Sequence, residues 1–280
     1  MLGARGMLGS EVFLKLSELD DVDTLPCYRE QLDIDNFGRY KSVYKELILN
    51  FKPDYIINCV AINYRRSGIA GLIQQLVVNG LFPRYLANKS KYHGYFLVHI
   101  STDGVFFGKK GNYRESDHKY PRTVYSLSKI LGEKRSDSVL ILRCSLVGKS
   151  SQIRHYLSLL DWFEKQEHGA FVPGFVNHFW NGVTTDYFAK LMTGIIANRY
   201  RLGGVQHFIP ADVVSKSELL EIFRQILHRQ DVHIQPSKAK NNMRRNLITQ
   251  NPQRNELFWK FAGLPTVPSV RELLNNSYSE

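Results

Sequence analysis

Apolar residues follow two spacings along this chain, and the two spacings alternate. Residues 10–19 place apolar side chains on one helical face, at Val12, Phe13, Leu16 and Leu19. Short apolar runs of strand length occur at residues 23–28, 51–61, 95–100 and 138–144. Helical segments separate them, including one from about residue 36 to residue 50. Because strands that alternate with helices in this way pair in parallel, the pattern predicts an α/β fold with a Rossmann-like doubly wound sheet.

The pattern changes after residue 148. We predict a helix over 156–163, short strands at 170–175 and 205–209, and an amphipathic helix that Ser215 caps. A last helix follows Pro265 and Pro268. These elements predict a smaller C-terminal α/β lobe over residues 149–280, packed on the carboxyl edge of the sheet that residues 1–148 form.

A glycine-rich turn, Gly3-Ala-Arg5-Gly6-Met7-Leu8-Gly9, opens the first helix. Such a turn lets the backbone approach a pyrophosphate and points the first helical amides at it. The turn should follow a strand, yet only Met1 and Leu2 precede Gly3. Either the first strand is truncated or the start lies several residues too late. We favour the late start, because the central strand of a doubly wound sheet is costly to omit.

The residues after the second and third predicted strands indicate which cofactor would bind. Arg29 stands 20 residues after Gly9, where an acid would accept the ribose hydroxyl of NAD and an arginine suits the phosphate of NADP. Arg5 favours the same choice, so the prediction is NADPH, with NADH as the alternative. Asp33 is expected near the adenine. Residues 59–61 end the third predicted strand and are expected to lie against the cofactor.

Thr102, Tyr125 and Lys129 form the candidate catalytic set. Tyr125 and Lys129 stand four residues apart, so they share one face of a predicted helix. A neighbouring ammonium favours the phenolate and would lower the pKa of the phenol. Thr102 follows an apolar strand, and ligands of open α/β sheets bind at the carboxyl ends of strands. Tyr-x-x-x-Lys alone is weak evidence, but its order after a glycine turn and a Ser-Thr-Asp strand end makes it strong.

Composition narrows the partners of this 280-residue chain. Its formal charge of +11 favours anionic ligands such as nucleotides. The dense basic cluster at residues 238–245 is mixed with asparagines rather than aromatics, which disfavours nucleic-acid binding. No apolar run spans a bilayer and no signal peptide is recognisable, so we expect no membrane contact and a cytoplasmic location. Three dispersed cysteines and scattered histidines predict neither disulfides nor a metal site.

Over residues 1 to about 275 the sequence resembles the extended short-chain dehydrogenase/reductases, most closely the dTDP-4-dehydrorhamnose reductase (RmlD-like) branch. The segments GARGMLGSEV, LDID, PDYIINCVA, STDGVFFG, YRESD, YSLSK, LRCSLVG and WNGVTT carry the resemblance. It implies hydride transfer from NAD(P)H to a 4-keto nucleotide sugar, with residues 1–148 binding the cofactor and residues 149–280 mainly the substrate. Tyr125 would protonate the alkoxide, Lys129 would hold the nicotinamide ribose and Thr102 would bind the carbonyl oxygen.

The predicted site comprises two further sets of residues. The cofactor-binding set is Gly3, Arg5, Gly6, Met7, Leu8, Arg29, Asp33, Cys59, Val60, Ala61, Asn79, Ser101, Tyr125 and Lys129. The substrate-binding set is Thr102, Asp103, Gly104, Ser145, Trp180 and Asn181.

The resemblance has two departures. Gly104 stands where the rhamnose enzymes usually carry tyrosine, and Leu146 where they usually carry an aromatic residue. The identity of the sugar therefore stays open. A nucleotide-sugar epimerase remains an alternative, as does a catalytically silent partner subunit like the regulatory subunit of methionine adenosyltransferase, which resembles the same branch. The oligomeric state also stays open, with a homodimer as one outcome.

Overall fold

A parallel sheet lies at the centre of the computed structural model, which describes residues 1–29, 44, 45, 48, 50–63, 68–149 and 158–278. In chain order the strands are β1 (Tyr55–Asn58), β2 (Phe96–Thr102), β3 (Val139–Cys144), β4 (Leu146–Val147), β5 (Phe171–Phe175), β6 (His178–Trp180), β7 (Val183–Thr184), β8 (Gly204–His207), β9 (Val214–Ser215), β10 (His233–Ser237) and β11 (Met243–Arg244). The central sheet has the order β1-β2-β3-β8, and every pairing in it is parallel.

Helices connect these strands and cover the sheet. They are α1 (Met7–Ser17), α2 (Ile69–Leu76), α3 (Phe82–His93), α4 (Val124–Gly132), α5 (Leu159–Glu164), α6 (Thr185–Ala197), α7 (Lys216–Ile226), α8 (Pro252–Phe261) and α9 (Val270–Tyr278). A π-helical turn, Val77–Leu81, joins α2 to α3, and a 3-10 turn, Asp103–Val105, follows β2. Of the helices that the described residues form, none combines the length and apolar composition needed to cross a membrane.

Side chains on the two faces of the sheet belong to two apolar cores. Val98, Leu140 and Leu142 pack with residues of α1, α6 and α8. Their neighbours along the strands, Leu97 and Ile141, pack on the other face with residues of α3 and the π-helical turn. This alternation follows from the two-residue period of a strand, and burying each aliphatic side chain contributes about 1.5–3 kcal/mol. The predicted doubly wound α/β sheet is confirmed.

The first strand is reduced to one residue. Leu2 forms parallel bridges with Cys27 on one side and Asn58 on the other, so it lies in the sheet between them. Of the strand predicted over 23–28, the described residues pair with Leu2 at Cys27. Of the helix predicted near residues 36–50, the described residues 44, 45, 48 and 50 are helical.

The second lobe has its own core and smaller sheets. Strand β10 pairs with β5, while β6 lies between β11 and β9. Val172, Phe163 and Val270 pack there against α7, whose buried residues include Leu220 and Phe223. Ser215 caps α7 as predicted, because its hydroxyl accepts the Glu218 N–H while the Glu218 carboxylate accepts the Ser215 N–H. In the predicted helix over 156–163, α5 begins at Leu159, and residues 156 and 157 lie outside the described residues.

Strand β8 and helices α6 and α8, which all lie beyond residue 148, belong to the first layer. Strand β8 completes the edge of the central sheet beside β3, and α6 packs against α1. After β3 the chain forms β4, α5, β5, β6 and β7. It then returns to the central sheet through α6 and β8. The predicted boundary at residue 148 stays a prediction; the second core contains Val147 of β4 together with residues of α5, α7 and α9.

Candidate active site

The glycine-rich turn lies at the amino end of α1. Gly3 has a φ of +81°, and its carbonyl accepts a hydrogen bond from the Gly6 N–H at 3.0 Å. A Cβ atom on Gly9 would lie 2.0 Å from that same carbonyl oxygen, so only glycine fits there. Gly6, the N-cap residue of α1, has no side chain with which to cap the first turn. The predicted glycine turn is thus present at the amino end of α1, and its role in binding a pyrophosphate stays a prediction.

Arg5, Arg29 and Asp33 are the residues predicted to bind the adenosine part of the cofactor. The Arg5 guanidinium stacks 4.5 Å from the centre of the Tyr28 ring, which holds Arg5 beside the chain segment that leads to Arg29. Arg29 is exposed. Asp33 lies outside the described residues, so its predicted place near the adenine stays a prediction.

The loop after β1 passes beside the glycine turn. Cys59 donates its N–H to the Leu2 carbonyl at 3.1 Å, and Val60 lies 3.1 Å from the position of a Cβ on Gly3. Asn79 is fully buried behind this loop. Its amide pairs with the backbone N–H and carbonyl of Ile62 at 2.9 and 2.8 Å and also donates to the Ser128 hydroxyl. Asn79 therefore ties the loop that carries Ala61 to helix α4.

Helix α4 places Tyr125 and Lys129 on one face. Thr123 starts the helix by accepting the Ser126 N–H at 3.1 Å. Lys129 is buried, and its ammonium donates to the Ile100 carbonyl of β2 at 2.6 Å. Burial lowers the pKa of Lys129 to about 8, with the nearby Glu133 carboxylate opposing the shift. The ammonium is thus fixed beneath the carboxyl end of β2.

Thr102 ends β2 and contacts Tyr125, and the Asp103 carboxylate lies near the same phenol. The Thr102 hydroxyl donates to the Asp103 carboxylate at 3.0 Å and accepts the Gly104 N–H at 3.1 Å. A Cβ on Gly104 would lie 3.3 Å from that hydroxyl and 3.9 Å from the Tyr125 ring. Thr102 and Tyr125 are therefore in contact, although they come from two elements that are separated in sequence.

The electrostatics of Tyr125 differ from the expectation that Lys129 lowers its pKa. Burial, followed by the Asp103 carboxylate, raises the pKa of Tyr125 to about 12, with the Thr102 hydrogen bond opposing the shift. The physical reason is that the phenol is buried and lies near the Asp103 carboxylate, while the Lys129 ammonium donates to the Ile100 carbonyl. Tyr125 therefore retains its proton at neutral pH.

A buried charge network supports this end of the sheet, and the sequence motifs did not reveal it. Glu133 accepts hydrogen bonds from Arg143 at 2.8 and 2.7 Å, from Ser101 at 2.6 Å and from Lys119 at 2.9 Å. Burial alone would raise the pKa of Glu133, but the bonds and charge of Arg143 outweigh it and lower the pKa to about 2. Ser101, a predicted cofactor contact, thus directs its hydroxyl at Glu133. One signal in the sequence could have indicated Glu133: it follows Lys129 by four residues, which is about one helical turn.

Hydrogen bonds fix the side chains of the predicted substrate residues Trp180 and Asn181. The Trp180 indole donates to the Ser145 hydroxyl at 2.8 Å. The Asn181 amide donates to the Leu247 carbonyl at 2.7 Å and accepts the Leu247 N–H at 2.9 Å. Arg245, two residues before Leu247, lies near Asp103; burial raises the pKa of Asp103, and the positive charge of Arg245 opposes that shift. Arg245 belongs to the basic cluster that the sequence left without a role.

Metal chemistry has no support among the described side chains. Within that part of the chain, no three or more His, Cys, Asp and Glu residues group closely enough to hold a metal ion. Cys27, Cys59 and Cys144 are free thiols. Burial raises the pKa of Cys59 to about 12, so this thiol beside the glycine turn is neutral.

A family model described as the RmlD substrate binding domain matches residues 1–258. A dTDP-4-dehydrorhamnose reductase of Aggregatibacter actinomycetemcomitans is 34% identical over 148 residues, covering 51% of this chain and 49% of that protein. A methionine adenosyltransferase 2 subunit beta of Xenopus laevis is 33% identical over 138 residues, covering 47% and 40%.

A solved structure shares the fold over nearly the full length. The dTDP-4-dehydrorhamnose reductase of Bacillus anthracis in complex with NADP has a TM-score of 0.77 at 21% identity, covering 98% of this chain and 96% of that one. By sequence, the chain spans about half the length of the curated relatives it matches.

Proposed function

Because this chain belongs to the RmlD substrate binding domain family, we propose that it is an NADPH-dependent oxidoreductase that reduces the keto group of a nucleotide-linked 4-keto-6-deoxy sugar. The reaction would take place in the cytoplasm and serve deoxysugar and surface polysaccharide synthesis. One observation carries the proposal: Thr102 and Tyr125 are in contact at the carboxyl end of β2, the strand whose Ile100 carbonyl accepts a hydrogen bond from the buried Lys129 ammonium. NADP in the Bacillus anthracis reductase supports the choice of cofactor.

The residues present fit a dinucleotide. A Cβ on Gly9 has no room beside Gly3, so the backbone of the turn stays open to a pyrophosphate. Arg5 and Arg29 would accompany the adenosine phosphate of NADPH. When bound, the cofactor supplies the hydride for the reduction.

The side chains would then manage the oxygen of the keto group. The Thr102 hydroxyl would donate a hydrogen bond to the carbonyl oxygen and polarise it. Tyr125, whose pKa of about 12 keeps it protonated at neutral pH, would donate its proton to the forming alkoxide. Lys129, with a pKa of about 8, is mostly charged at neutral pH and would stabilise the phenolate that remains.

The test is NADPH oxidation with a dTDP-linked 4-keto-6-deoxy sugar, comparing wild type with Tyr125→Phe. We expect the variant to bind NADPH as wild type does and to lose about 100-fold or more in kcat, because the proton donor is removed. Tyr92→Phe is the matched control, since Tyr92 is 82% exposed on α3. Turnover by Tyr125→Phe at the wild-type rate, or no turnover by wild type with any 4-keto-6-deoxy sugar nucleotide, would contradict the proposal.

A silent partner subunit is the second candidate. The match to a methionine adenosyltransferase subunit favours it, as do the departures at Gly104 and Leu146. Cofactor binding without turnover, together with a stable stoichiometric complex with an unrelated enzyme, would support this candidate over the reductase.

An epimerase is a variant of the first candidate. It would use the same cofactor without consuming it. Conversion of a sugar nucleotide at constant total NADPH would therefore identify an epimerase, whereas stoichiometric NADPH oxidation identifies a reductase.

A further inference from the structure

His99 is a buried titratable residue that the proposed mechanism does not use. It lies in β2, three residues before Thr102, and 1% of its surface is exposed. It follows Leu97 by two residues, so its side chain lies on the same face of the sheet as Leu97. Its parallel partner in β1 is Asn58, which is also 1% exposed. Two polar side chains that are buried side by side in this way are expected to bond to each other.

The orientation of the Asn58 amide follows from its backbone neighbour. Oδ1 of Asn58 accepts the Val60 N–H at 3.2 Å. Because a backbone N–H can only donate, the amide oxygen must face Val60. The amide nitrogen, Nδ2, then lies 3.3 Å from Nδ1 of His99. Since Nδ2 can only donate, His99 accepts this hydrogen bond at Nδ1.

One tautomer of His99 fits this hydrogen bond. A neutral imidazole carries its proton on one ring nitrogen and accepts at the other, so a proton-free Nδ1 places the proton on Nε2. Burial, followed by the positive charge of Lys129, lowers the pKa of His99 to about 3, with the Glu133 carboxylate opposing the shift. The ring is therefore neutral at neutral pH, and Nδ1 stays available as an acceptor.

The other edge of the His99 ring lies against helix α4. Nε2 is 3.3 Å from the position that a Cβ on Gly132 would take, and the Asn79 carbonyl oxygen lies closer still to that position. Gly132 therefore lets α4 approach the ring about one helical turn after Lys129. Among the described residues Nε2 has no hydrogen-bond partner, so the bond at Nδ1 is the one that orients the ring.

Val60 lies against the glycine-rich turn. Its backbone nitrogen is 3.1 Å from the position that a Cβ on Gly3 would take. Residues 59–61 are predicted to contact the cofactor, and Gly3 opens the turn that is predicted to bind its pyrophosphate. The hydrogen bond from Val60 to Asn58 therefore fixes the loop at the point where it passes the turn.

We infer that His99 is a positioning residue for cofactor binding. Its Nδ1 atom orients the Asn58 amide, and that amide holds Val60 beside the glycine-rich turn. A short chain of hydrogen bonds thus connects the middle of β2 with the loop after β1. The part of the inference that concerns the cofactor rests on the proposed function, whereas the hydrogen-bonded chain does not.

Nitrogen NMR of the imidazole ring tests the tautomer without altering the site. In wild-type protein labelled with ¹⁵N-histidine, the His99 ring should carry its proton on Nε2 at pH 7. The His99→Asn variant identifies the ring resonances, because they are missing from its spectrum. A wild-type ring that carries its proton on Nδ1 would overturn the inference, whether or not any variant folds.

Two substitutions separate the role of Nδ1 from the space that the ring fills. His99→Asn can keep an acceptor at the place of Nδ1, whereas His99→Gln carries its amide to the place of Nε2 and leaves Asn58 without that acceptor. We expect His99→Gln to weaken NADPH binding by about tenfold and to keep kcat at saturating NADPH within about twofold of wild type. His99→Asn should bind NADPH within about threefold of wild type. His168→Gln is the control, because His168 is exposed in the second lobe.

Amide hydrogen exchange at Val60 reads the loop directly. The Val60 N–H should exchange about tenfold or more faster in His99→Gln than in wild type, because the Asn58 oxygen is no longer held toward it. Unchanged exchange at Val60 in His99→Gln, or equal weakening of NADPH binding in His99→Asn and His99→Gln, would overturn the inference. Absence of NADPH binding by wild type would instead overturn the proposed function, and the ring tautomer and the Val60 exchange would then decide whether His99 holds the loop.

Discussion

Replacing Glu133 by glutamine tests whether the buried charge network holds the site. Glu133 and Arg143 are both essentially inaccessible to solvent as side chains, with 1% and 0% exposed, and their closest oxygen and nitrogen are 2.7 Å apart. Glutamine keeps the size of the side chain but removes its charge, which leaves the Arg143 guanidinium buried without a counter-ion. Breaking a buried pair in this way costs about 3–5 kcal/mol.

The pKa of Glu133 gives a second, independent magnitude. It falls from an ordinary 4.5 to about 2 in the folded protein, which corresponds to about 3 kcal/mol. Because the folded-state pKa is depressed, this stabilisation is present above about pH 4.5 and is lost as the pH falls toward 2. Glutamine does not titrate, so the variant lacks this contribution at every pH.

Urea unfolding of wild type and Glu133→Gln measures both effects. At pH 7 we expect the variant to lose about 3 kcal/mol of unfolding free energy, and the gap should narrow by about 1 kcal/mol at pH 3.5. The control is Glu164→Gln, because Glu164 pairs with Lys149 at 3.3 Å on the surface and should contribute less than about 1 kcal/mol. A loss below about 1 kcal/mol for Glu133→Gln, or a gap that stays constant between the two pH values, would refute the reasoning.

Two further changes test the cofactor side. Gly9→Ala should weaken NADPH binding by about tenfold or more, since the new Cβ would lie 2.0 Å from the Gly3 carbonyl and displace the turn; isothermal titration checks this, with Leu14→Ala on the exposed face of α1 as the control. Arg29→Ala should weaken NADPH by about tenfold and leave NADH unchanged, because a charge-assisted bond to the extra phosphate is lost. Equal weakening of both cofactors would exclude that role for Arg29.

Local signals in the sequence were sufficient for the elements that carry the site. The spacing of Tyr125 and Lys129, the apolar run before Thr102 and the cap at Ser215 each depend on residues within a few positions of one another. The glycine turn was equally readable, because Gly3, Gly6 and Gly9 lie on one continuous segment. These features can be predicted from the sequence because local geometry determines them.

The remaining features depend on contacts between distant segments. Glu133, at the end of α4, meets Arg143 of β3, which is a different element, and Asn181 reaches Leu247 across 66 residues. The expected lowering of the Tyr125 pKa failed for the same reason. It considered the one neighbour on the same helix, whereas burial and the Asp103 carboxylate depend on how the loop after β2 folds back.

The return of the chain to the central sheet has a consequence for folding during synthesis. Strand β8 pairs with β3 only after more than sixty further residues have been made, counted from Val139–Cys144 to Gly204–His207. Until then the edge of β3 and the apolar face that α6 covers are open to water. Such non-local pairing slows folding and leaves an unpaired edge that other chains can join. A ribosome-bound chain that ends near residue 148 would therefore hold an incomplete sheet, and folding of the first layer must wait for part of the second lobe.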